Sequence, residues 1–163
     1  MNAVSTYQSP LGELLLAADE EGLTGMWFQG QKYFAAGLGE ETEPRGLPVF
    51  EETKRWLDLY FQGKQPDFFP ALHMQGTPFQ ELLLQIPYGE TITYGELAGQ
   101  IAAQLGRTSM SAQAVGGAVG HNKISILIPC HRVVGRDQSL TGYAGGLERK
   151  KWLLELEKGK HPV

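Results

Sequence analysis

Apolar and polar positions change rhythm along the chain. From Ala3 to Gly30 the runs AVSTYQ, ELLLAADE and LTGMWFQG have the length and character of strands, and SPLG and EEG between them are turn signals. An acidic, Gly- and Pro-rich stretch from Gly37 to Pro48 reads as loop. Val49, Thr53, Trp56, Leu57 and Tyr60 then recur at helical spacing, and Gly63 ends that run. QPDFFPALHMQG reads as a linker. The pattern predicts a small sheet with one helix across it, and no group in this part suggests chemistry.

Beyond Gly76 the rhythm is mostly helical. TPFQELLLQI reads as a helix and PYGE as a turn. Thr93 can cap a helix that carries Tyr94, Leu97, Ala98 and Ile101 on one face. After the loop LGRTSM, Ser111 can cap a short helix, AQAVGGAVG. Two short helices with a brief connection outline a helix-turn-helix. Gly116 and Gly117 each cost about 1 kcal/mol relative to Ala in a helix interior. What small residues permit is close backbone approach, either to a packed neighbour or to a DNA groove. The apolar run ISILIP leads to Cys130. RVVGRD reads as a strand, GYAGG as a tight loop, and Gly146 to Lys158 as a final amphipathic helix.

Charge changes this picture more than composition does. The net charge is −4, which argues against a strongly basic nucleic-acid binder. Up to residue 103 there are five cations against fourteen acids, a balance of −9. From residue 104 on there are nine against four, a balance of +5. A polyanion would be drawn to the half that holds Cys130, although a merely solvated cationic surface gives the same count. No apolar run is long enough to span a bilayer, and the N-terminus shows no secretory pattern. The one cysteine has no CxxC or Cys/His cluster around it, so neither disulfide, metal nor cofactor is expected, and a reducing cytoplasm fits.

Three groups could carry chemistry. Cys130 follows a core-like run, and a thiol becomes a nucleophile when a base or cation favours its thiolate. An inert buried cysteine is the plain alternative. His131 is adjacent, and neighbours on a strand point to opposite faces, so it can serve Cys130 only in a turn or through a water. It could equally be a structural histidine. On the last helix Glu148, Lys151, Glu155 and Lys158 share one side, and Trp152, Leu153, Leu154 and Leu156 the other. Glu157 falls between Leu153 and Leu154, on the core side, where a carboxylate needs a partner. His131 is a natural one and would complete a nucleophile, base and orienting acid. Fraying into solvent, or pairing with Arg149 or Lys150, is as compatible with the pattern. Asn122 could tie the small-residue helix to the Cys130 segment, or simply end that helix.

PCHRVVG around Cys130, the upstream AVGGAVGHN, the downstream GYAGG, IPYGETITYGELA and KKWLLELE together resemble O6-alkylguanine-DNA alkyltransferases. TYQSPLGELLLAA resembles that family's N-terminal sheet domain, so the likeness spans nearly the whole chain. It implies an α/β fold, with a small antiparallel sheet domain and helix at residues 1–73. A mostly helical domain with a helix-turn-helix follows at residues 74–163. It further implies direct DNA repair: one irreversible transfer of a methyl or other small alkyl group from guanine O6, with thymine O4 as a second candidate, onto Cys130. The base would be flipped from the duplex. His131 would take the thiol proton through a water, Glu157 would orient His131, and Asn122 would be the hinge to the recognition helix. Tyr94 would help rotate the nucleotide and give a proton to the leaving guanine. Tyr143, Ala144 and the backbone near Val133 would hold the base. Ala112, Gln113, Tyr94 and Arg132 would contact DNA, with the small-residue helix in the minor groove. Gln113 departs from the arginine that many members carry there. The implied partner is double-stranded DNA with O6-alkylguanine, bound by a monomer, with no membrane. A cysteine hydrolase using Cys130, His131 and Glu157, and a DNA-binding regulator with a structural or redox thiol, are the competing readings.

Overall fold

The computed structural model describes residues 2–39, 41–74, 76–107 and 110–160. Glu40 of the predicted loop, Gln75 of the predicted linker, and Thr108 and Ser109 of the LGRTSM loop lie outside them.

Three predicted strands form as β1 (Asn2–Ser9), β2 (Gly12–Asp19) and β3 (Gly22–Phe28). They pair antiparallel, β1 with β2 and β2 with β3. A fourth strand, β4 (Thr42–Pro44), adds parallel to β1, inside the stretch expected to be loop. Three residues between acids and prolines carry no alternating pattern, so long-range pairing alone makes this strand. The sheet order is β3-β2-β1-β4. Helix α1 (Pro48–Phe61) starts on a proline, whose fixed φ suits the first helical turn, and buries Phe50, Thr53, Trp56, Leu57, Tyr60 and Phe61. The linker is partly anchored: Leu72 bridges to Leu23 of β3.

The second part begins with α2 (Pro78–Leu84), whose Thr77 and Gln80 close a reciprocal capping box. A two-residue strand, β5 (Ile92–Thr93), leads into α3 (Tyr94–Gln104), where Thr93 and Glu96 make a second capping box. Helix α4 (Ala112–Gly120) begins as its Ser111 cap predicts. Val115 and Val119 turn inward; Ala112, Gln113, Ala114, Gly117 and Ala118 remain exposed. The expected RVVGRD strand shrinks to β6 (Val133–Val134), which pairs parallel with β5. Tight 3-10 turns at Cys130–Arg132 and Arg136–Gln138 flank it and break the extended run. Helix α5 (Leu147–Glu157) closes the chain.

One continuous apolar core joins the two parts, from Leu14, Phe28 and Tyr60 to Leu97, Ile128 and Leu153. The β3 edge continues into the second part. Met26 N–H donates to the Lys123 carbonyl at 2.8 Å, and Ser125 N–H donates to the Met26 carbonyl at 3.0 Å. The segment that precedes Cys130 is thus held as an irregular extension of the first sheet.

Candidate active site

Cys130 sits on the 3-10 turn that ends the buried 124–128 run. The β5–β6 pairing, Ile92 opposite Val133 and Thr93 opposite Val134, brings the start of α3 beside this turn. Tyr94 at the start of α3 and Lys150 on α5 come within electrostatic reach of the sulfur, and Asn122 just after α4 touches it.

Asn122 makes the direct contact. Its amide nitrogen lies 3.1 Å from Cys130 Sγ, 3.1 Å from the Ile124 carbonyl and 3.0 Å from the Ile128 carbonyl. Its Oδ1 accepts from Ile124 N–H at 3.2 Å. The segment it ties down includes Ile126 at φ 69°, a costly left-handed conformation for a β-branched residue. Asn122 therefore holds a strained loop and touches the sulfur at once.

Glu157 is buried, as its place on the apolar face of α5 suggests. Oε2 accepts from His131 Nε2 at 2.6 Å and from Tyr60 hydroxyl at 2.6 Å. Oε1 accepts from Arg132 Nε at 2.8 Å and Gly89 N–H at 3.2 Å. Burial alone would raise its pKa, but His131 and Arg132 outweigh that and hold the carboxyl well below the ordinary range. An ionised carboxylate only accepts, so His131 Nε2 carries the hydrogen and Nδ1 keeps its lone pair. That Nδ1 is buried and has no hydrogen-bond partner among the described residues. Burial lowers the His131 pKa, against the pull of Glu157. The imidazole is thus neutral, oriented and free to accept one proton.

The thiol is not poised to ionise by itself. Burial pushes Cys130 up to about 11, while the Asn122 hydrogen bond and the Lys150 charge pull the other way. Lys150 is fully buried, and burial lowers it to about 8. Its ammonium donates to the Thr141 carbonyl at 2.8 Å and to Tyr94 Oη at 3.3 Å. Tyr94 in turn donates to the Thr141 carbonyl at 2.7 Å. Tyr143 is buried, and the Cys130 sulfur adds to the burial that raises its pKa. Gly145 must lack a side chain, since a Cβ there would stand 2.6 Å from the Tyr143 ring.

Two expectations need correction. Arg132 does not face DNA: its guanidinium is committed to Glu157 and to the Ile86 carbonyl at 2.7 Å, with the side chain 11% exposed. The 3-10 turn aims it inward, where an unpaired carboxylate would otherwise be costly. Nor is the N-terminal part without a role at the site, since Tyr60 of α1 reaches Glu157. Ala112 and Gln113 lie exposed on α4, Val133 is buried, and Ala144 is half-buried with its carbonyl accepting from Lys32 N–H at 3.1 Å.

Residues 3–72 match the model for the ribonuclease-like domain of 6-O-methylguanine DNA methyltransferase, and residues 78–159 match its DNA binding domain. The chain belongs to this family. Methylated-DNA–protein-cysteine methyltransferases of Haemophilus influenzae and Mycobacterium tuberculosis are each 43% identical to it. The first alignment covers 93% of this chain and 84% of that protein, the second 97% and 93%. The crystal structure of Mycobacterium tuberculosis OGT in complex with DNA superposes with a TM-score of 0.83 at 42% identity, covering 99% of this chain and 96% of that one.

Lys150 was expected only as a candidate partner of Glu157, yet its ammonium bonds Tyr94 and Thr141 instead. It lies seven residues before Glu157, two turns along the same face, so the spacing that singles out Glu157 singles out Lys150 as well. Tyr60 had no such signal, because its partner is 97 residues away.

Proposed function

We propose that this chain repairs O6-alkylguanine in double-stranded DNA by moving the alkyl group irreversibly onto Cys130. The observation that carries this reading is the contact between Asn122, at the end of α4, and the Cys130 sulfur, which is backed by the oriented His131–Glu157 pair. A groove-facing helix and a nucleophile share one hinge residue.

Helix α4 enters the minor groove with its small-residue face, and Ala112 and Gln113 meet the DNA. Gln113 occupies the gap left by the flipped base. The lesion reaches the sulfur once the Tyr94 and Thr141 contacts give way to it, and Tyr143, Ala144 and the Val133 backbone hold the guanine. The thiol proton passes through a water to His131 Nδ1. The thiolate attacks the alkyl carbon in line, so that an S–C bond forms as the C–O6 bond breaks. Lys150 and the Asn122 amide stabilise the sulfur charge. Tyr94 keeps its proton at neutral pH, because burial raises its pKa, and gives it to the departing guanine. A thioether has no ready way back, so each molecule acts once.

Residues 1–73 support the site, and residues 74–163 bind DNA and accept the alkyl group. The protein works as a monomer in the cytoplasm, where a reducing environment keeps Cys130 a thiol. Titrating duplex O6-methylguanine against the protein tests the reaction: repaired guanine stops at one per chain. A hydrolase built on the same three groups would continue past that point, and a regulator would repair none.

A further inference from the structure

We propose that Tyr33 is a positioning residue for lesion binding, setting the recognition helix from the N-terminal part of the chain. Its ring stacks on His121 with centroids 4.1 Å apart and planes 27° apart. His121 is the residue after α4, and its Nδ1 donates to the Gly117 carbonyl at 2.7 Å, closing the last turn of that helix. Asn122, the residue that touches Cys130, comes next.

The loop that presents Tyr33 is built for this contact. Tyr33 and Ala35 adopt φ of 57° and 56°, left-handed values that cost energy in any residue but glycine. Hydrogen bonds hold the turns: Ala36 N–H donates to the Tyr33 carbonyl at 3.0 Å, and Leu38 N–H to the Ala35 carbonyl at 3.0 Å. Gln31 braces the base of the loop, accepting from Phe28 N–H at 2.8 Å. Lys32 N–H donates to the Ala144 carbonyl, so the same loop grips the segment expected to hold guanine. At its far end Lys123 lies over Gly37, where a Cβ would sit 2.6 Å from the ammonium. The loop thus contacts residues 121, 123 and 144, on both sides of Cys130. Tyr33 is 47% exposed, so core packing does not account for its aromatic ring. What its ring meets is His121, at the end of α4.

This inference rests on the alkyl-transfer reading, and wild-type protein is tested first. Single-turnover transfer from duplex O6-methylguanine is measured over a range of protein concentrations, giving a half-saturating concentration and a limiting rate. No transfer by wild type sinks the parent reading. If wild type transfers, Tyr33→Ala should raise the half-saturating concentration roughly threefold to tenfold, as loss of an aromatic pair would. The limiting rate should stay within about twofold, because the Asn122–Cys130–His131 geometry is retained. Tyr33→Phe keeps the stack and should restore wild-type values. In His121→Ala, where the partner is gone, Tyr33→Ala should add little. An unchanged half-saturating concentration in folded Tyr33→Ala overturns the inference, as does a fall in limiting rate alone or failure of Tyr33→Phe to restore binding.

Discussion

The side-chain amide of Asn122 lies 3.1 Å from the sulfur of Cys130 while also bonding two carbonyls of the loop between them. An amide nitrogen has two hydrogens, so three acceptors share them. Its bonds to Ile124 and Ile128 fix Asn122 to the loop, so the loop itself holds the hydrogen bond to sulfur. The residue that follows α4 and its cap is thus also part of the setting of the sulfur.

Asn122→Ala removes those bonds and leaves the strained turn at Ile126 unsupported. Transfer from duplex O6-methylguanine should slow by about tenfold or more, given that each bond to a charged group is worth about 1.5–3 kcal/mol. Duplex binding by the exposed face of α4 should change much less. Electrophoretic binding and single-turnover repair, run on the same preparation, separate the two. Equal losses in both would mean that Asn122 only supports the helix.

Arg132→Ala tests the inward placement of that side chain. It leaves a buried carboxylate short of its cation, which costs about 3–5 kcal/mol in comparable buried pairs. Urea unfolding should show that loss. Unchanged stability with weaker, more salt-sensitive binding to any duplex would return Arg132 to the DNA face.

What the sequence made legible was local. The caps at Thr93 and Ser111 and the apolar spacing of α1, α3 and α5 mark helices because a helix is stabilised by residues three and four apart. Glu157 was legible as a carboxylate on the wrong side of a helix. The strands β4 and β5 were not, since two or three residues carry no period and their partners are remote, while β6 was legible only as part of a longer strand than the one that forms. Arg132 was misdirected for a related reason: an arginine beside a cysteine gives no sign of direction until the 3-10 turn sets it. Tyr60 and Tyr33 make their contacts at distance along the chain, across the boundary expected between two domains, and no local pattern reports that.

The proton path predicts the pH dependence. Cys130 is pushed up to about 11, and the pKa of His131 lies below its ordinary 6.5. Between these values the thiol is protonated and the imidazole free to take its proton. Transfer should be nearly level from about pH 7 to 8, should fall as pH drops through the lowered His131 value, and should decline above about 8 as Lys150 loses its charge. In His131→Gln the rate should instead climb roughly tenfold per pH unit over the same interval, following the thiolate population. A level profile in that variant would remove His131 from the proton path.

Stability should also fall in acid, for a separable reason. The pKa of Glu157 is depressed in the fold below its ordinary 4.5. Its contribution is therefore complete above the unfolded value and is lost as pH falls toward the folded one. Thermal unfolding of wild type should weaken steadily below about pH 4.5. Glu157→Gln should be less stable at neutral pH and lose less on acidification. Parallel curves for the two proteins would place the acid sensitivity elsewhere.

Intact-mass analysis after incubation with duplex O6-methylguanine, followed by peptide mapping, tests the central claim most directly. The account predicts one added methyl per chain, located on Cys130, and none in Cys130→Ser. Repaired DNA with an unmodified Cys130, or a methyl found on any other residue, would contradict it.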